Sequence, residues 1–233
     1  MQSADQEHAI ITGWRNNARP WAEAVRAGVI KSRREVTDQA ILSAVLRFSP
    51  RRVLDIGCGE GWLLRRLAER QVYGVGIDGA ADLVALANSA SADKELGNYR
   101  CHAYDEIAAS PTLLSDVNAD VIVCNFSLLG ESLSPLLQAL PHGLAGRGHL
   151  IVQTLHPCFL PGDYCSGWRE GSWQGLAPAV AEGFAEPVPW YFRTLEDWLS
   201  LFSATGWQLQ QITEPCFDGA TEPVSVIFTL GHA

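Results

Sequence analysis

The chain lacks several features that mark other classes of protein. It has no excess of basic residues: its net charge is −9 over 233 residues. Proteins that bind nucleic acid broadly are usually basic because they neutralise phosphates, so we expect no nucleic-acid partner. No stretch approaches about 18 consecutive apolar residues, and the first ten residues lack the basic and then apolar pattern of a secretory signal. These absences predict a cytoplasmic protein that has no membrane partner.

Cysteine pairs of the kind that bind metals are also missing. The six cysteines form no Cys-x-x-Cys pair, and three of them fall in or beside predicted core strands. In a reducing compartment a buried cysteine behaves as a small apolar side chain. The group His156, Cys158, Asp163 and Cys165 does not have the spacing of a standard zinc site, so no metal is expected.

What is present is an alternation of short apolar runs and helical patterns. Hydrophobic residues make up 47% of the chain and charged residues 18%, which is typical of a globular protein. The nearly continuous apolar runs predict parallel strands that are buried on both faces by helices. The predicted strands are 52–56, 72–77, 99–103, 120–124 and 149–155, and the predicted helices are 60–70, 80–92 and 133–140.

The rest of the chain divides around this core into one domain with four parts. Residues before the core are largely helical, with Trp14 and Trp21 on one face. A long segment after the core is rich in glycine, proline and aromatic residues, and we expect it to form a lid over the substrate, to pack as a small subdomain, or to do both. The predicted parts are a helical cap at 1–50, a cofactor-binding core at 51–155, an aromatic insertion at 156–193, and a closing helix from Thr194 with a strand hairpin at 194–233.

A glycine-rich turn carries the main functional signal. The sequence VLDIGCGEG runs from Val53 to Gly61, so a strand ends at Ile56 and a helix begins near Glu60. Glycines there permit positive φ and a close approach of the backbone to a ligand. Asp78 ends the second predicted strand, where a carboxylate can accept hydrogen bonds from the hydroxyls of a ribose. The pattern predicts an adenosine-containing cofactor at the carboxyl edge of the sheet.

Two cofactor classes use this geometry. A dinucleotide site has the pattern G-x-G-x-x-G and places a pyrophosphate at the helix N-terminus. This chain has G-x-G-x-G instead, with Glu60 at that N-terminus and Asp55 at the strand end. Both acids would repel a pyrophosphate and attract a cationic sulfonium and ammonium. The charges therefore favour S-adenosylmethionine over NAD.

The segments VLDIGCGEG and GVGID resemble motifs I and II of the class I S-adenosylmethionine-dependent methyltransferases, and the resemblance extends over roughly residues 45–233. It implies an α/β, Rossmann-like fold with a seven-stranded, mostly parallel sheet, helices on both faces, and an antiparallel last strand. It also implies S-adenosyl-L-methionine as the cofactor. The cofactor-binding positions that it implies are Asp55, Gly57, Cys58, Gly59, Asp78, Tyr104, Asp105, Asn125 and Phe126.

The expected chemistry is in-line transfer of a methyl group to an O, N, S or C nucleophile. His156 follows the fifth predicted strand, and it is a candidate general base together with Tyr164 and Tyr191 of the insertion. Arg33 or Arg34 is a candidate contact for the carboxylate at the methionine end of the cofactor. Asp105 has a second interpretation as the cap of the helix that follows it.

The acceptor is predicted by an absence. Amino-DNA and some RNA methyltransferases carry Asn/Asp-Pro-Pro-Tyr after the fourth strand, whereas this chain has Asn-Phe-Ser-Leu from Asn125. Together with the acidic charge, this favours a small molecule. The alternatives are a methyltransferase acting on a protein or tRNA, and a non-catalytic protein that binds an adenosyl ligand. An NAD-dependent oxidoreductase is disfavoured by the missing third glycine. The oligomeric state is not predicted.

Overall fold

The computed structural model describes residues 3–91, 96–160, 162–173 and 176–232. Small parts of the predicted cap, second helix, insertion and closing segment therefore lie outside the described residues. The strands, numbered along the chain, are β1 Arg52–Ile56, β2 Tyr73–Asp78, β3 Gly97–Cys101, β4 Ala119–Asn125, β5 Leu144–Leu155, β6 Gly167–Arg169, β7 Trp190–Phe192, β8 Trp207–Thr213 and β9 Ser225–His232.

Seven of these strands form one sheet in the order β3-β2-β1-β4-β5-β9-β8. Strands β1 to β5 are parallel to one another, while β9 is inserted antiparallel between β5 and β8. This arrangement confirms the fold predicted from the sequence, including the antiparallel last strand. The order reverses at β1, because β2 lies on one side of it and β4 on the other, and ligands bind at such a switch point in open α/β sheets.

Helices cover both faces of the sheet. They are α1 Ser3–Asn16, α2 Ala18–Arg26, α3 Asp38–Leu46, α4 Trp62–Ala68, α5 Ala81–Ala90, α6 Tyr104–Ala109, α7 Ser134–Ala139, α8 Pro178–Ala181 and α9 Leu195–Ala204, with a π-helical turn at Arg33–Thr37 and 3-10 turns at Pro111–Leu114, Leu140–Gly143 and Pro157–Phe159. Helix α9 begins as predicted, because the Thr194 hydroxyl accepts a hydrogen bond from the Asp197 N–H.

The strands are continuous apolar runs because the side chains on both of their faces are buried, as β1 illustrates. Leu54 and Ile56 pack into a core cluster with the β-strands and helices of one face, and Val53 packs into the cluster of the other face. Strand β3 begins two residues earlier than predicted. Gly97 lies opposite Gly74 of β2, where a Cβ would collide with the Gly74 carbonyl, so this pairing requires glycine. A glycine does not add to the apolar pattern from which the start of the strand was predicted.

The insertion packs against the N-terminal helices. Its strands β6 and β7 form a separate antiparallel pair. Asn17, at the corner between α1 and α2, is fully buried: its side-chain oxygen accepts from the Ala185 N–H at 2.8 Å, and its amide donates to the Glu186 carbonyl at 3.3 Å. Trp173 contacts both Trp14 and Phe184. The aromatic residues of the insertion therefore supply its own packing.

Within the described ranges, no helix combines the length and the apolar character needed to cross a membrane.

Candidate active site

The glycine-rich turn is fixed onto the end of β2. The N–H groups of Gly57 and Cys58 both donate to the Ile77 carbonyl, at 2.7 and 3.1 Å. Gly57 has φ +72°, and a Cβ there would collide with the Ser127 side chain and lie 2.7 Å from the Tyr104 hydroxyl. The first glycine is therefore required by packing as well as by its backbone conformation.

The second glycine of the turn leaves open space. Gly59 has φ +56°, and nothing lies within 4 Å of the position that a Cβ would take. Its N–H donates to the Asp78 carboxylate at 2.9 Å, and the Ala80 N–H donates to the other oxygen of that carboxylate at 2.8 Å. Burial raises the pKa of Asp78 above its usual value, and these two hydrogen bonds oppose the rise. Asp78 thus braces the turn, and each of its oxygens retains a lone pair for a ligand.

A cavity of about 970 Å³ opens beside this turn. It extends over the carboxyl ends of the central strands, under α1 and along the segment that follows β4. Eight of the nine predicted cofactor residues line it: Gly57, Cys58, Gly59, Asp78, Tyr104, Asp105, Asn125 and Phe126. The structure therefore brings together residues that span roughly seventy positions of the sequence.

Helix α6 contributes two of these lining residues. Tyr104 donates its hydroxyl to the Ser127 carbonyl at 3.1 Å, and burial raises its pKa well above the usual value. Asp105 is exposed in the first turn and accepts from the Glu106 N–H, while the Glu106 carboxylate accepts from the Ala103 N–H. The capping interaction predicted for Asp105 is made by Glu106. Asp105 lines the cavity.

The end of β4 presents an unsatisfied acceptor. The side-chain oxygen of Asn125 is buried and has no hydrogen-bond partner. Phe126 follows with φ +53°, and its N–H donates to the Gln153 carbonyl at 2.8 Å. A buried polar atom without a partner is unusual in a folded protein, so the Asn125 oxygen is suited to a donor group of a ligand.

The surroundings of Glu60 contradict the charge effect that was inferred for it from the sequence. Its carboxylate is buried and pairs with Arg65 at 2.6 Å and with Arg26 at 2.8 Å. Two guanidinium groups offset its single negative charge, so the repulsion of a pyrophosphate inferred from Glu60 is wrong. The neutralising arginines lie 34 residues before and five residues after it, on α2 and α4.

A family model described as a methyltransferase domain matches residues 48–174, which is more than half of the chain. The chain belongs to this methyltransferase family. The predicted reaction class is therefore confirmed. No curated protein sequence matches the chain significantly.

Solved structures similar to this methyltransferase share its fold. An S-adenosylmethionine-dependent methyltransferase from Mesorhizobium loti is 20% identical, covers 83% of this chain and 96% of its own, and has a TM-score of 0.62. The 1,6-didemethyltoxoflavin-N1-methyltransferase from Burkholderia thailandensis is 13% identical, covers 100% and 91%, and scores 0.66. The magnesium protoporphyrin IX methyltransferase from Synechocystis is 15% identical, covers 99% and 98%, and scores 0.60.

Asp55 is the predicted cofactor residue that does not line the cavity. It is buried in β1 of the methyltransferase, and one of its carboxylate oxygens has no hydrogen-bond partner. Burial, and secondarily the charge of Asp78, raises the pKa of Asp55 to about 7. Its contact with the cofactor stays a prediction.

Replacing Asp55 by Asn should change how the stability of the methyltransferase depends on pH. The folded-state pKa of Asp55 lies above its ordinary value, so its contribution is fully present below about pH 4 and is lost as the pH rises through about 7. We expect the free energy of unfolding of the native chain to fall by a few kcal/mol over this interval, relative to Asp55→Asn. Urea unfolding at several pH values measures the difference.

The matched control for this prediction is Asp82→Asn, since Asp82 is exposed in the first turn of α5. It should keep the pH dependence of the native chain. An unchanged pH dependence in Asp55→Asn would show that Asp55 does not hold a proton in the folded state near neutrality.

The structure does not place the predicted bases in the cavity. His156 is buried, its Nδ1 accepts from the Cys158 N–H at 3.1 Å, and its Nε2 lies 2.8 Å from the Glu214 carboxylate. Both ring nitrogens are therefore occupied, and the pattern is that of a neutral ring which donates from Nε2. Leu155 lines the cavity but His156 does not. Its role as a base stays a prediction.

The two tyrosines lie in the insertion, away from the cavity lining. The Tyr164 hydroxyl accepts from the Leu195 N–H at 2.9 Å on the protein surface. Tyr191 packs edge-on against Trp168, and burial raises its pKa. In the described part of the chain, no group of three or more His, Cys, Asp or Glu side chains is arranged to hold a metal.

The N-terminal helices, and not the insertion, cover the cavity. No described residue of 156–193 lines it, whereas α1 contributes Glu7, His8 and Ile11 among others, and α2 contributes Trp21. The insertion makes the contacts of a small packed subdomain, and its additional role as a lid over the substrate stays a prediction. The cavity face of α1 repeats at helical spacing but mixes apolar and charged residues, so an apolar pattern alone does not reveal it.

The two arginines that are candidate contacts for the cofactor's carboxylate have different surroundings. Arg34 is exposed and pairs with Glu35. Arg33 lines the cavity, donates to Asp38 at 3.0 Å, and lies over the rings of Trp62 and Trp21 at 4.8 and 5.7 Å. One of its terminal nitrogens, Nη2, is buried without a hydrogen-bond partner.

Proposed function

We propose that this methyltransferase transfers a methyl group from S-adenosylmethionine to a small-molecule nucleophile. The observation that carries the proposal is that helix α1, Ser3–Asn16, covers the cavity. Glu7 of α1 accepts hydrogen bonds from the N–H groups of Glu131 and Ser132, at 2.7 and 2.8 Å. Helix α1 thus reaches the segment after β4 and lines a cavity of the size that small-molecule sites have, which supports a small-molecule acceptor over a folded protein surface or a nucleic-acid duplex. The acidic net charge also disfavours a nucleic acid.

The chain's own residues fit this cofactor. The unpartnered Nη2 of Arg33 suits the cofactor's carboxylate, and the Asp78 carboxylate suits the two ribose hydroxyls. The open space over Gly59 admits a ligand close to the backbone. When bound, S-adenosylmethionine supplies an activated methyl group on a sulfonium centre. The protein binds and orients the two reactants, and α1 lines the cavity that holds them.

Two neighbouring structures support a small-molecule acceptor by analogy of fold. The Burkholderia enzyme is named for 1,6-didemethyltoxoflavin, with which it was crystallised together with S-adenosylhomocysteine, and the Synechocystis enzyme is named for magnesium protoporphyrin IX. We also propose a cytoplasmic location, because all six cysteines are unpaired.

The proposal is tested by following a radioactive methyl group. The protein is incubated with methyl-labelled S-adenosylmethionine and a cell extract that has been divided into small metabolites, RNA and protein. Label should enter the metabolite fraction with the native chain and not with Asp78→Ala. Transfer confined to RNA or protein would contradict the small-molecule assignment, and absence of transfer to every fraction would favour a binding protein without activity.

Arg33 should contribute to cofactor binding through the cofactor's carboxylate. Arg33→Gln is expected to weaken the binding of S-adenosylhomocysteine by about tenfold or more, since a hydrogen bond to a charged group contributes roughly 1.5–3 kcal/mol. Binding of 5′-methylthioadenosine, which lacks the carboxylate, should change by less than about twofold. Isothermal titration measures both affinities.

The control is Arg34→Gln, because Arg34 carries the same charge one residue later but is exposed and does not line the cavity. It should leave both affinities unchanged. An equal loss for the two ligands in Arg33→Gln would mean that Arg33 supports the fold of the site and does not bind the carboxylate.

A further inference from the structure

Beyond the cofactor residues, the cavity continues between α1 and the segment that follows β4. We name this part the acceptor compartment and define it by Ala4, Glu7, His8 and Ile11 of α1 together with Leu129, Leu133 and Leu136. The whole cavity, about 970 Å³, lies near the upper end of the roughly 300–1,000 Å³ found for small-molecule sites. That volume leaves room for a second small molecule beside the cofactor.

The walls of the acceptor compartment are mainly apolar. Leu129, Leu133 and Leu136 form one side, and Leu133 and Leu136 are almost fully buried in the core. Ile11 of α1 forms part of the opposite side and is half-buried. Apolar side chains on two opposite walls favour an apolar ligand, because polar groups of a ligand would lose water there without gaining hydrogen bonds.

Few cationic groups line the cavity. Among its described lining residues, the basic side chains are Arg33 and His8. Arg33 lies with Trp21 and Trp62 at the cofactor end, and Asp38 already accepts one of its hydrogen bonds. An acceptor that carries a carboxylate or phosphate would therefore find no arginine or lysine in the acceptor compartment.

The acceptor compartment also contains a carboxylate, that of Glu7. The Glu7 carboxylate is fixed at the compartment wall, because Oε1 accepts from two backbone N–H groups. Gly130 makes room for it, since a Cβ at Gly130 would overlap the Glu7 carboxylate. The Arg193 guanidinium interacts with Glu7 and partly offsets its charge, but Arg193 does not line the cavity, so the wall offers no arginine to an anionic acceptor. The imidazole of His8 and the hydroxyl of Ser132 also line the cavity and can orient a polar group of a neutral acceptor.

We infer that the methyl acceptor is an uncharged and largely apolar small molecule, held in the acceptor compartment beside the cofactor. This inference rests on the proposed function and adds the class of its substrate. The methyl carbon forms a bond to a nucleophilic atom of that molecule as the bond between carbon and sulfur breaks. The electron pair of the broken bond goes to sulfur, which becomes a neutral thioether, and any proton displaced from the nucleophile leaves to solvent.

The test uses two probes of similar size, neutral 2-naphthol and anionic 2-naphthoate. Each is titrated into protein saturated with S-adenosylhomocysteine, and binding is followed by calorimetry. We expect 2-naphthol to bind at least tenfold more tightly than 2-naphthoate. Equal or tighter binding of 2-naphthoate would overturn the inference, and so would failure of both probes to bind while the cofactor product is bound.

Two variants of α1 locate the probe. Ile11→Trp fills the acceptor compartment and should weaken 2-naphthol binding at least tenfold while S-adenosylhomocysteine affinity stays within twofold. Thr12→Trp, one residue later on an exposed position outside the cavity lining, should change neither affinity. Unchanged 2-naphthol binding in Ile11→Trp would place the probe elsewhere and reject the compartment. Failure of the native chain to bind S-adenosylhomocysteine would instead contradict the proposed function.

Discussion

Asp78→Ala is expected to weaken the binding of S-adenosylhomocysteine by about 100-fold or more. A hydrogen bond to a charged group contributes roughly 1.5 kcal/mol or more, and in the proposed site Asp78 would accept one from each ribose hydroxyl. The same carboxylate also holds the Gly59 N–H at 2.9 Å, so its removal loosens the turn under the ligand. Isothermal titration of the native and variant chains measures the loss.

Asp82→Ala is the matched control for this experiment. Asp82 lies four residues later, is exposed in the first turn of α5, and does not line the cavity. Its removal should leave the affinity within about twofold. If Asp78→Ala bound the ligand as tightly as the native chain, the ribose would not be held at the end of β2.

Alanine at Gly57 should act mainly on folding, whereas alanine at Gly59 should act mainly on ligand binding. Gly57→Ala is expected to lower the free energy of unfolding by about 3 kcal/mol or more, because left-handed strain adds roughly 1–2 kcal/mol and overpacking roughly 1–3 kcal/mol. Its new Cβ would collide with Ser127. Gly59→Ala should lose only about 1–2 kcal/mol of stability but at least tenfold in affinity, since its Cβ would enter open space at the ligand site. Urea unfolding and calorimetric titration separate the two effects.

Gly146→Ala supplies the control for left-handed strain alone. Gly146 has φ +63° with nothing within 4 Å of a Cβ, and it lies in β5 outside the cavity lining. It should lose about as much stability as Gly59→Ala and none of the cofactor affinity. Similar affinity losses in both variants would indicate that strain, and not contact with the ligand, weakens binding.

The sheet and the cofactor end of the site were predictable because their signals are local. A parallel strand buried on both faces is a short apolar run, and Asp78 directly follows such a run. The glycine turn occupies a few consecutive residues between a strand and a helix. Eight of the nine predicted cofactor residues line one cavity for this reason.

The sequence predicts a helical cap at 1–50, but the position of α1 over the cavity was not predictable from local patterns because distant contacts define it. Glu7 bonds to residues 124 and 125 positions later, and neither partner carries a distinctive side-chain signal, since the donors are backbone N–H groups. His156 shows the same limit. Its place after β5 follows from the pattern of strands, but its side chain turns to Glu214, 58 residues along the chain.

The contacts of Asn17 and Glu7 have a consequence for the timing of turnover. Asn17 fixes the corner between α1 and α2 to the insertion, whereas Glu7 holds α1 to the cavity wall through one carboxylate. Trp14 of α1 also packs against Trp173, so the contact of Glu7 is one of several that hold α1 over the cavity. We expect the rate of product release to depend in part on how often these contacts open, and therefore on residues outside the glycine-rich turn.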